Sequence, residues 1–260
     1  MKMPKMTRVS FSHNAVDVTM PEAWPDLTGA ELMTVLKLMT WVPREMLHTY
    51  VFAALSGMKV LRHDDDGNYY CRFSDGKRKR VVRVSPDELR TLLAPLEFLD
   101  APGSVPVRPE ILGRRRAVDA LLHGVKFAAY LRLENLYQGF IMSGDARTLA
   151  AAADILYPGS KKWKKLGAAE QLALTQWVVQ LKGAFAAAFP NLFKPSGSDA
   201  APSAENAMKA MNNQIRALSG GDICKESEVL ASDCWRALTE LDYKAKEAEE
   251  SRKAIEAAKK

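Results

Sequence analysis

Four histidines, three cysteines and one acidic loop are the residues of this 260-residue chain best suited to chemistry. His13, His48, His63 and His123 stand far apart in the sequence. None falls in an HExxH or HxH spacing, the patterns that bring two imidazoles to one ion. His48 lies beside core positions of a helical pattern, where an imidazole serves packing. His63-Asp64-Asp65-Asp66-Gly67-Asn68 has the composition of a calcium loop without its spacing. Calcium loops alternate their acids so that side chains converge, and close with a bidentate glutamate. Here the acids are adjacent and no such glutamate follows, so the segment reads as a solvated β-turn. Cys71, Cys224 and Cys234 form no CxxC pair and are odd in number. Free thiols in a reducing compartment, the cytoplasm, are the simplest reading. Nucleophile elbow, P-loop and dinucleotide fingerprint are all missing. The expectation is a non-enzymatic protein with no catalytic residue, no metal site and no cofactor.

Basic clusters are the other conspicuous feature. They are Lys77-Arg78-Lys79-Arg80, Arg114-Arg115-Arg116, and Lys161-Lys162-Trp163-Lys164-Lys165. The last interleaves an aromatic ring with four lysines, a pattern suited to phosphate contact plus base stacking. Each cluster also sits in a turn or connection, where solvated charge is the usual occupant. The net charge is +6, yet residues 201–260 hold 10 Lys/Arg and 11 Asp/Glu, so the basic excess belongs to the body of the chain. Nucleic-acid binding through Arg114, Arg115, Arg116, Lys161, Lys162, Trp163, Lys164 and Lys165 is therefore an alternative function. No membrane span is expected, because no apolar run reaches the roughly 18 residues required. The best candidate, Leu172 to Phe189, is broken by Gln176, Gln180 and Lys182. The basic N-terminus is followed by no continuous apolar stretch, which argues against a secretory signal.

The elements that must carry these residues are mostly helices. Thr7 to Met20 reads as a strand closed by Pro21 and Pro25. Thr28-Gly29-Ala30-Glu31 is a capping box before the stripe Leu32, Val35, Leu36, Met39. Pro43 opens a second helix whose inner face would be Met46, Leu47, Tyr50, Val51, Ala54 and Leu55, with Gly57 as its stop. Residues 58–84 form a small β-region, with strands at Tyr69–Phe73 and Arg80–Val84 around a turn at Asp75-Gly76. Ser85-Pro86-Asp87-Glu88 starts another helix, with Leu89, Leu92 and Leu93 inward. After an irregular, Pro- and Arg-rich connection over 100–116, helical patterns run from Phe127 to Ile141, Asp145 to Leu156 and Ala168 to Phe189. Lys194 to Ser203 reads as a linker. Ala204 to Leu218 is helical up to Gly220-Gly221. A last helix starts near Glu226 or Asp233, with Leu230, Cys234, Leu238, Leu241 and Ala245 on one stripe. Beyond Tyr243 only alanine and alternating Lys and Glu remain, held by helix propensity and i,i+4 pairs. The expected architecture is mainly α with a small β-region near the N-terminus. It comprises an α+β part over 1–100, a helical bundle over 117–193, a linker over 194–203, and a C-terminal helical segment over 204–260.

Three stretches carry a resemblance. They are Glu134-Asn135-Leu136-Tyr137-Gln138-Gly139, Met211-Asn212-Asn213-Gln214-Ile215-Arg216-Ala217-Leu218-Ser219-Gly220-Gly221-Asp222, and Asp233-Cys234-Trp235-Arg236-Ala237-Leu238-Thr239-Glu240-Leu241. Together with Leu27 to Leu38 they touch about a quarter of the chain. They resemble uncharacterised proteins encoded by prophages and phage-like elements, often near tail genes that include the tape-measure gene. The resemblance implies a role in tail morphogenesis like that of a tail-assembly chaperone, which binds the helical tape-measure protein before the tube forms around it. The partner would be a protein, a helical tail component or a second copy of the chain. Large apolar residues dominate such contacts. Trp235, Leu238 and Leu241, with Leu230 on the same stripe, are therefore the expected partner-binding residues.

Overall fold

A computed structural model of the chain describes residues 6–11, 14–75, 78–194 and 204–258. The protein is mainly helical with a small β-region near its N-terminus and a long last helix. It divides into two compact units, residues 1–109 with 168–173, and residues 110–167 with 174–260. His13, the turn at Gly76 and the expected linker after Lys194 lie outside the described residues. The C-terminal helices, expected as a segment of their own, are grouped with residues 110–167.

In the first unit, the expected single strand is a hairpin, β1 (Met6–Phe11) paired antiparallel with β2 (Asn14–Thr19). Helix α1 (Gly29–Met39) begins at the complete Thr28/Glu31 capping box and buries Leu32, Val35 and Leu36. Helix α2 (Leu47–Ser56) follows a short 3-10 turn after Pro43 and stops at Gly57, which adopts φ 67°. Its inner face differs from expectation: Leu47, Val51 and Phe52 are buried, whereas Met46 and Tyr50 are exposed. Met46 belongs to the 3-10 turn before the helix, and the buried face extends from Leu47 and Val51 toward Phe52, the flank away from Tyr50. Tyr50 instead meets the exposed Trp41 edge to face at 5.7 Å.

Strands β3 (Lys59–His63), β4 (Tyr69–Asp75) and β5 (Arg78–Val84) form an antiparallel sheet in that order. Strand alternation sends Cys71 and Phe73 of β4, and Val82 and Val84 of β5, into the core. Burial pushes the Cys71 thiol upward, keeping it a protonated packing group. The acidic loop between β3 and β4 is the expected turn. Asp64 accepts from the Asn68 amide at 2.8 Å, and that bond holds its carboxyl below the usual range. Helix α3 (Pro86–Leu93) starts at a second complete capping box, Ser85 with Glu88. Ser85→Ala should lower stability by about 1 kcal/mol, read as a shift of the urea midpoint with an unchanged slope.

The second unit opens with a two-residue-stranded hairpin, β6 (Ile111–Leu112) and β7 (Arg115–Arg116). It continues through α4 (Phe127–Ser143), α5 (Ala146–Leu156), most of α6 (Ala168–Ala188), α7 (Ala204–Ser219), α8 (Glu226–Ala231) and α9 (Cys234–Ala258). Gly220 and Gly221, with φ 65° and 82°, end α7 as glycine C-caps do. An aromatic cluster ties α4, α6 and α9 together. Phe185 lies 5.7 Å from Tyr130, 5.8 Å from Phe189 and 5.6 Å from Trp235. The starts of α4 and α9 are also stitched along the backbone. Cys234 N donates to Val125 O at 2.8 Å, and Phe127 N to Ser232 O at 2.8 Å. Asp233 caps α9 by accepting from Trp235 N, while its other oxygen accepts from Gly124 N.

Candidate interaction surfaces

The expected partner anchors are largely internal. Leu238 is 0% exposed and Leu241 4% exposed. Trp235 is half-buried, stacked on His123 at 4.4 Å, with Phe189 at 5.1 Å, and its indole N–H donates to Leu121 O. Leu230 is half-buried on α8. For Leu238 and Leu241 the expectation of a partner contact is corrected: both are buried within the chain and dock α9 onto its own unit. The apolar spacing was sound, but spacing does not say whose surface covers it. Further along, Asp242 fixes the helix to the chain following α6. Partial desolvation pushes its carboxyl up. Hydrogen bonds from the Asn191 side chain and from the Leu192 and Asn191 amides, with Lys194 nearby, outweigh this and hold it below the usual range.

The opposite side of the same helix is open. A groove of about 600 Å3 runs between α7, α8 and α9. Its floor and walls include Leu218, Val229 and Ala237, and its rim carries Arg236, Glu240 and Tyr243. Tyr243 is 61% exposed, a large ring presented to solvent at the mouth. Residues 236, 240 and 243 recur at i, i+4, i+7, so the sequence does contain a second face. Two of its three members are charged, which is why it reads as solvated surface.

The basic clusters have a different arrangement. Arg115 on β7 reaches across to the 157–165 segment. Its guanidinium donates to Asp154 at 3.1 Å, to Tyr157 O at 3.3 Å and to Lys161 O, and lies 4.7 Å over the Trp163 ring. Asp154 on α5 also accepts from the Trp163 amide at 2.9 Å. Gly159 permits the close approach, since a Cβ there would stand 2.9 Å from Arg115 Nε. Gly113, at φ 59° in the hairpin turn, is similarly close to Trp163, with 3.1 Å from its would-be Cβ to the ring. Trp163 is thus packed between hairpin and arginine, and its indole nitrogen is buried without a hydrogen-bond partner among the described residues. Two expected nucleic-acid contacts are corrected on this ground. Arg115 is engaged internally at 17% side-chain exposure, and the Trp163 ring already carries a guanidinium on one face. Arg114, Arg116, Lys161, Lys162, Lys164 and Lys165 remain exposed.

In comparisons with protein-family models, curated proteins and solved structures, nothing matches this chain.

His48 has an acidic neighbour, with its Nε2 3.5 Å from Asp100 Oδ2. Both line an open groove of about 700 Å3 in the first unit, together with Leu89, Arg90, Leu93 and Glu97. No serine, cysteine or lysine is among the described lining residues. Among the described residues, no group of three His, Cys, Asp or Glu converges as metal ligands, and no helix is long and apolar enough to cross a membrane.

Proposed function

We propose that this protein is a non-enzymatic assembly factor of the phage-tail type, acting in the cytoplasm by holding a helical segment of a partner in the groove between α7, α8 and α9. One observation carries the reading. Two of the three stretches that resemble phage-encoded proteins, 211–222 and 233–241, contribute to the lining of that groove: Leu218 comes from the first, and Arg236, Ala237, Thr239 and Glu240 from the second. An apolar floor with a charged rim is what an amphipathic helix needs. Its i, i+3, i+4 anchors fill the floor and its flanking charges meet the rim.

Tyr243 is the contact with the most area to lose. Buried aromatic anchors of this kind cost 2 kcal/mol or more when truncated, about 30-fold in affinity. Tyr243→Ala should weaken capture of the helical tail protein about 30-fold, with an unfolding midpoint within experimental error of the parent. The measurement is co-purification from cells expressing the neighbouring tail genes, followed by titration of the captured partner. Undiminished capture by Tyr243→Ala and by Val229→Asp would remove the groove from consideration. Self-association that disappears in the same variants would assign the groove to a second copy of the chain.

A further inference from the structure

We propose that the exposed face formed by the β6–β7 hairpin and the 161–165 segment is a docking surface for the phosphodiester backbone of nucleic acid, independent of the groove. Two basic runs separated by 46 residues are held as one surface by Arg115, whose guanidinium binds Asp154 and the Lys161 carbonyl. The arginine that organises the face is turned inward, and six cations are left outward: Arg114, Arg116, Lys161, Lys162, Lys164 and Lys165. None of the six forms an ion pair with a described residue. Asp154, the acid at the centre, is occupied by Arg115 and the Trp163 amide. Of the acids nearest in sequence to the hairpin, Glu110 is exposed and Asp119 accepts from the Leu121 and His123 amides.

The chemistry of the partner follows from what the face lacks as well as what it has. Arg115 occupies one face of the Trp163 ring and the Gly113 turn closes on its edge, so the ring is engaged by the chain itself. Affinity then comes from charge alone, so the fitting partner is one whose charges repeat at close, fixed intervals. A nucleic-acid strand offers a phosphate about every 3.4 Å. Contacts of this kind position a duplex without reading its sequence.

The test uses the full chain and a labelled duplex of about 24 base pairs, titrated between 50 and 200 mM salt. With all six cations on phosphates, the log–log salt slope approaches about −5, a loss of about 10³-fold across that range. K161A/K162A/K164A/K165A removes four exposed charges and should bring the slope to about −2, a loss of only about 15-fold. Asp154→Ala separates an organised face from bulk charge. It raises the net charge by one yet releases Arg115, so an organised face binds more weakly in this variant. Absence of duplex binding at 50 mM salt, or an unchanged slope in the quadruple variant, overturns the proposal. So does tighter binding by Asp154→Ala, or a preference for phosphatidylserine vesicles or polyglutamate over duplex. Partner capture through the groove would survive each of these results.

Discussion

Leu238→Ala destabilises the second unit by about 2–5 kcal/mol. Leu238 has no exposed surface, and it lies on the inward stripe of α9 with the buried Cys234 and Leu241. Removing its branched end leaves a cavity that a helix stapled at its N-terminus cannot close. Two backbone bonds, Cys234 N to Val125 O and Phe127 N to Ser232 O, hold that end in register with α4. The relevant measurement is a urea titration followed by far-UV circular dichroism. The result also discriminates between roles for the stripe. If Leu238 served a partner and not the fold, the midpoint of the free protein would not move, and only capture would suffer. A change below about 0.5 kcal/mol, the range of ordinary surface substitutions, would show that α9 is not docked by this face.

Arg115→Ala is expected to cost about 2–3 kcal/mol. The side chain makes three hydrogen bonds and one ring contact, and its charge partner Asp154 is 27% exposed. Breaking a fully buried pair costs more. The remaining solvent access screens part of the Asp154 charge that is left behind, which sets the figure below that limit. Lysine should not rescue the site, because one ammonium nitrogen cannot span acceptors that the arginine meets from two separate nitrogens, nor lay a planar face on an indole. Local order gives a second measurement. The 158–167 segment contains four lysines and is held to the hairpin by Arg115, so trypsin should cut there faster in Arg115→Ala and Arg115→Lys than in the parent. Equal cleavage rates would indicate that the segment is fixed by something else.

Features written within a few residues of one another were legible in the sequence. Thr28 with Glu31 and Ser85 with Glu88 are each three residues apart, and both capping boxes are present. Gly57 and Gly220-Gly221 terminate helices through positive φ, a property of the residue itself. The sheet was legible at β4 and β5 because alternation and an adjacent turn are also local. What joins distant parts was not legible. Trp235 finds its acceptor 114 residues away at Leu121, and Arg115 finds Lys161 46 residues away. The stripe on α9 is legible as apolar, whereas the burial of Leu238 and Leu241 by the chain itself is not. Periodicity measures how much surface a helix must cover and carries no address for what covers it. The open groove was missed for the complementary reason: Arg236 and Glu240 make its face look wet, while its apolar floor is assembled from three helices.

The end of α9 has a consequence for distance. From Glu250 to Ala258 every residue is exposed, and no packed face contributes to the helix there. What supports it are pairs at i,i+4, Glu249 with Lys253 at 2.9 Å, Lys246 with Glu250 at 4.0 Å and Arg252 with Glu256 at 3.9 Å. Such pairs contribute a few tenths of a kcal/mol each and weaken as salt rises. Nine helical residues span about 13 Å. The extent of this arm is therefore a function of the ionic medium: extended and rod-like in dilute salt, progressively frayed toward Glu249 as the pairs are screened. Ionic strength should thus tune the helix content of residues 250–258 without touching the packed part of α9.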